Sequence, residues 1–101
     1  MPQGYLYLYS GGKAPQNEAD GKAMMEAWVA YFNKLGPAIV DGGAPFAPGS
    51  KLLGNAAASK AAGYSIIQAD SLDAAVALTA GHPHLASGGG IEVFELADMG
   101  G

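Results

Sequence analysis

Tyr5-Leu6-Tyr7-Leu8-Tyr9 repeats two residue types with a period of two. This is the pattern of a β-strand that shows one residue type to each face. Ser10-Gly11-Gly12 ends it. Working outward, Asn17 or Asp20 can cap a helix whose apolar stripe is Met24, Ala27, Trp28, Tyr31, Phe32 and Leu35, at three- and four-residue spacing. Gly36-Pro37 stops that helix, because glycine tolerates the left-handed cap and proline cannot continue it. Ala38-Ile39-Val40-Asp41 reads as a short strand running into Gly42-Gly43-Ala44-Pro45. Between residues 43 and 62 the pattern leaves a strand at Lys51-Leu52-Leu53, a helical turn or a loose hairpin open. Tyr64-Ser65-Ile66-Ile67-Gln68-Ala69 is a strand. Asp70-Ser71 caps a second helix with Leu72, Ala75, Val76 and Thr79 on one face and Gly81 as its stop. A loop from His82 to Gly90 leads to the last strand, Ile91 to Leu96, and residues 97–101 read as a frayed tail.

This β-α-β-(β)-β-α-β order predicts an α+β chain, a ferredoxin-like antiparallel sheet with two helices on one face. With Leu6 and Leu8 set toward the helices, Tyr5, Tyr7 and Tyr9 fall on the open face, and the last strand is apolar on both faces. A sheet face this aromatic marks an interaction site. A second copy packed face to face would cover it and enclose a tyrosine-lined cavity. If the last strand runs antiparallel beside the first, Ile91 pairs near Tyr9 and the His82–Gly90 loop borders the pocket.

The 101 residues suit a single domain, 1–101. Half of them are hydrophobic, which excludes a disordered chain. Five lysines, no arginine and nine acids give a net charge of −4, a poor match to a phosphate backbone, so nucleic acid is not expected as a partner. The absence of cysteine excludes thiolate nucleophiles and disulfides. Neither a signal peptide nor an apolar run of the ~18–20 residues that span a bilayer is present, so a cytoplasmic protein without a membrane partner is expected.

Tyr64-x-Ile66-Ile67-x-Ala69-Asp70-Ser71-Leu72-Asp73-x-Ala75, followed by Gly81-x-Pro83-His84-Leu85-x-x-Gly88-Gly89-x-Ile91-Glu92-Val93, resembles the YCII-related family, in the branch related to the DGPF proteins. Asp41-Gly42-Gly43-Ala44-Pro45-Phe46 is similar to that family's glycine-proline turn. The resemblance implies a dimeric α+β barrel built from two ferredoxin-like units. Proteins of this fold include cofactor-free isomerases, dehydrochlorinases and monooxygenases acting on small cyclic or aromatic compounds. Some YCII-related proteins pair a histidine on the first helix with an aspartate just before the segment matching Pro83. This chain has no histidine between residues 13 and 36, and His82 stands at the aspartate's place. The resemblance therefore implies either a cofactor-free lyase or isomerase, or a non-enzymatic ligand-binding or regulatory dimer. The latter fits the proximity of DGPF-type genes to alternative sigma factors.

His82 and His84, the two histidines, are the candidate acid–base residues, because a neutral imidazole gives and takes protons near pH 7. The bland alternative for His84 is a hydrogen bond that pins its loop. Pro83 between them and the absence of a third ligand argue against a metal site, and no cofactor is expected. Asp41 could orient an imidazole, although an aspartate at such a turn more often bonds its own backbone two residues on. Glu92 could act as a base if it faces the cavity. Tyr7 and Tyr9 could hold a ligand's ring and its oxygen, with interface packing as their other role. Trp28 reads as core. Ser87-Gly88-Gly89-Gly90 precedes a strand rather than a helix, so it is not a phosphate cradle.

Overall fold

A computed structural model describes residues 3–12 and 15–97 of the chain. Most of the segment read as a C-terminal tail lies outside them. The protein is an α+β fold: a four-stranded antiparallel sheet in the order β2-β3-β1-β4, with three helices. Strand β1 (Gln3–Gly11) is central, between β3 (Ala61–Ala69) and β4 (Gly89–Glu95), and β2 (Ile39–Pro45) forms the edge beyond β3. Tyr9 pairs with Ile91, so the expected antiparallel register of the first and last strands holds.

Local chemistry sets the helix limits. Helix α1 (Glu18–Leu35) starts where the Asn17 side chain accepts the Asp20 N–H at 2.8 Å, and ends at Gly36 with φ of 54°, followed by a 3-10 turn over Gly36–Ala38. Helix α2 (Leu72–Ala77) is capped by the Ser71 hydroxyl, which accepts the Ala74 N–H at 3.0 Å. A short helix α3 (Pro83–Ala86) replaces the expected His82–Gly90 loop. Pro83, read from sequence as a loop former, sits at its first position, where no N–H is needed and the fixed φ suits a helix. Strand β2 includes the glycines expected to end it, and β3 begins at Ala61. Residues 46–60 contain neither helix nor strand.

The tyrosine face is reversed relative to expectation. Tyr5, Tyr7 and Tyr9 are buried beneath the helices with Tyr31, Leu35, Ile67 and Ala75, while Leu6 and Leu8 lie on the open face. Alternation separates the two faces but does not say which is inside; α2 decides it. Ala75 is fully buried and leaves depth for a ring, and the helix offers a carbonyl to the hydroxyl: Tyr7 donates to the Ala75 carbonyl, and Tyr31 donates to that of Leu78 at 2.7 Å. Leu72 and Val76, expected to pack inward, are exposed instead, as is Ala27 on α1. Cross-strand pairing puts Leu8 with Tyr64 and Glu92, and Leu6 with Ile66 and Phe94, on the open face.

Tyr7→Phe leaves the Ala75 carbonyl without its donor, and urea unfolding should show a loss of about 1–3 kcal/mol. Leu72→Ser, on the exposed side of α2, should stay within about 0.5 kcal/mol of the parent. Equal losses for the two variants would contradict the inward tyrosine face.

Candidate functional site

His82 closes the core. It is 1% exposed, and its ring lies 4.3 Å from that of Tyr31, 4.8 Å from Trp28 and 5.2 Å from Tyr9, centroid to centroid. Its Nδ1 accepts the His84 N–H at 3.1 Å and so caps α3. Its Nε2 stands 3.1 Å from the Tyr9 hydroxyl. That hydroxyl donates to Ser65 Oγ at 2.8 Å, and Ser65 in turn donates to the Gly42 carbonyl at 2.8 Å. One chain of donors follows: the Tyr9 proton is committed to Ser65, so His82 Nε2 must supply the N–H to the Tyr9 oxygen. Nδ1 therefore carries a lone pair, and the ring is neutral.

Burial, with a smaller contribution from nearby His84, lowers the His82 pKa to about 4. Burial also raises the hydroxyl pKa values, Tyr7 to about 12 and Tyr9 upward, so both stay protonated donors at neutral pH. His82 is thus a positioning residue with both nitrogens in use.

His84, carried on α3, is the histidine that reaches a cavity. Its Nε2 is 2.8 Å from the Ser10 carbonyl, which can only accept, so Nε2 holds the proton. Two glycines make room for the ring. A Cβ on Gly12, whose φ is 89°, would stand 2.9 Å from Cε1, and a Cβ on Gly89 would stand 2.6 Å from both Cδ2 and Cε1. Within the Gly88-Gly89-Gly90 run it is Gly89 that makes room for the imidazole; a Cβ on Gly88 would meet nothing within 4 Å.

The cavity, about 480 Å³, lies inside one chain between α1 and the β2–β3 edge. Met24, Trp28 and Phe32 of α1 form one wall, and Gly42, Gly43 and Gly63 the other, with Tyr9 contributing a phenol and His84 an imidazole. Its size and apolar lining suit a small organic ligand.

The other expected residues are not gathered here. Tyr7 gives its hydroxyl to Ala75 and takes no part in the cavity wall. Asp41 is exposed, and its Oδ1 accepts the Gly43 N–H at 2.8 Å, the local turn bond. Glu92 pairs across from Leu8 and faces the opposite side of the sheet from the tyrosines. Sequence reading missed Ser65, Gly12 and Gly89. Ser65 was detectable as the polar member of the inward series Gly63, Ser65, Ile67; the glycines signalled only that something comes close.

Among the described residues no helix is long and apolar enough to cross a membrane. Compared with models of known families, with curated proteins and with solved structures, the chain matches none.

His82 makes stability depend on pH. Its folded pKa lies below the unfolded value of about 6.5, so the unfolded chain binds a proton that the folded chain refuses until about pH 4. Stability from this group is full above pH 6.5 and falls as pH drops toward 4, by about 1.4 kcal/mol per pH unit, on the order of 3 kcal/mol in all. His82→Asn keeps a cap acceptor without an ionisable group. Its urea unfolding curves should be weaker overall but shallower in pH by about one proton; an unchanged slope would contradict the buried neutral imidazole.

Proposed function

We propose that this chain is a ferredoxin-like, YCII-related protein that binds a small cyclic or aromatic compound in the cavity between α1 and the β2–β3 edge. In this reading it is a cofactor-free lyase or isomerase, with His84 moving the proton. The family reading is supported by the strand order β2-β3-β1-β4, by α1 and α2 packing on the same side of the sheet, and by the Gly81–Val93 residues quoted above. The observation that carries the chemistry is His84, fixed against the Ser10 carbonyl in the wall of an apolar cavity. An imidazole held by one nitrogen is oriented to use the other as an acid or base. Trp28 and Phe32, 5.6 Å apart and edge to face, offer a planar ring an aromatic surface.

A second reading, a non-enzymatic ligand-binding or regulatory protein, draws support from one observation. Among the described residues no carboxylate lines the cavity beside His84, so the imidazole works without the partner that usually strengthens a general base. Trp28 is the single tryptophan and stands in the cavity wall, so its fluorescence reports binding directly. Titration with 2-hydroxycyclohexanone, a ring bearing both a ketone and a hydroxyl, should give a saturable change. In heavy water the protein should then exchange the ketone's α-protons at least ~100-fold faster than His84→Ala does. Saturable binding with exchange no faster than buffer favours the second reading. No saturation contradicts both.

We further propose that the chain is a homodimer. The face offered to the second copy is the one carrying Leu6, Leu8, Ile66 and Phe94, since the tyrosines are inside. Phe94 is 39% exposed in the single chain, on a sheet side without a helix. A stable interface of this kind should bury more than about 2,000 Å² in total. Sedimentation at micromolar concentration should show a dimer that Leu6→Lys with Phe94→Lys converts to a folded monomer. A monomeric parent would contradict the proposal.

A further inference from the structure

Taking the cavity proposed above as the binding site, we infer that it selects an uncharged ring bearing a hydrogen-bond donor. The ligand's O–H or N–H is directed at His84 Nδ1, and ether and carboxylate analogues are rejected. The argument runs from atom roles. The Ser10 carbonyl takes the Nε2 proton of His84, and a neutral imidazole has one N–H, so Nδ1 presents a lone pair. None of the described groups bonds Nδ1, and among the described residues no buried side-chain nitrogen or oxygen lacks a partner, so Nδ1 is open to a ligand.

The Tyr9 hydroxyl in the wall is already spoken for. The Tyr9 oxygen accepts from His82 and donates to Ser65, which leaves it no free proton for a ligand. Tyr64 meets the wall with its backbone at Gly43, its strand position pairing with Leu8 of the open face, and the rest of the described lining is apolar side chain or glycine, without a lysine to neutralise an anion. A carboxylate would face a lone pair and find no cation among the described lining. An ether offers Nδ1 no proton. Sites that demand one specific hydrogen bond discriminate far more strongly than sites that merely fit a shape. The clamp of Gly12 and Gly89 keeps the ring from turning away to suit the wrong ligand.

Calorimetric titration of the intact chain with phenol, pyrrole, anisole and benzoate tests this. Phenol or pyrrole should bind at least tenfold more tightly than anisole and benzoate, and whichever is tighter tells whether the donor is O–H or N–H. In His84→Ala the preference for the donor over anisole should fall to within about twofold. Gly89→Ala, which displaces the imidazole without removing it, should do the same. Anisole binding as well as phenol, benzoate binding tightest, or a preference that survives in both variants would each overturn the inference while leaving the cavity a binding site. If none of the four binds, the cavity reading itself fails, and this inference with it.

Discussion

The hydrogen bonds of one buried imidazole hold the site to the core. His82 has no water to solvate it, so each of its nitrogens must find a partner inside the protein. One partner is the backbone N–H of His84, which starts α3; the other is the hydroxyl of Tyr9, which continues through Ser65 to the β2 glycines. A single side chain therefore ties β1, β3, the β2 edge and α3 together. The cavity wall is drawn from all of these elements, so its shape depends on that chain of donors remaining complete.

The two histidines divide the work that the sequence left undivided between them. Separated by one proline, they sit on opposite sides of a helix start, and this sets their fates. His82, just before α3, turns its ring inward as a cap; His84, inside the helix, turns toward the strand end at Ser10. The first is kept neutral by burial and the second is oriented by a carbonyl. The prominence of glycine around the second has the same origin, because a flat ring packed on two strand ends leaves no room for a Cβ on either.

Much of the scaffold was legible from residue order. The alternation of Tyr5 to Tyr9, the stop at Gly36-Pro37 and the Ser71 cap are local signals, and local signals survive folding. The pairing of Tyr9 with Ile91 followed from topology. What was not legible required knowledge of depth. A tyrosine strand can face in or out, and the small buried Ala75 with its open carbonyl settled the matter, a fact about another element sixty-odd residues away. Glu92 is kept from the site by register rather than by depth, since pairing Tyr9 with Ile91 sets Glu92 opposite Leu8, on the face away from the tyrosines. Asp41 took the commoner course of a turn aspartate, because a backbone N–H two residues on is always within reach.

The central claim is that His82 is a neutral structural cap, held in one tautomer, from which His84 of the cavity wall is hung. Long-range proton–nitrogen correlation spectra of the imidazoles, recorded from pH 7.5 down to pH 5, test it most directly. The account predicts a His82 ring protonated on Nε2 alone and unchanged across that range, with His84 also carrying its neutral-form proton on Nε2. A His82 ring that exchanges between tautomers, or gains its second proton near pH 6.5 as a solvated histidine does, would contradict it.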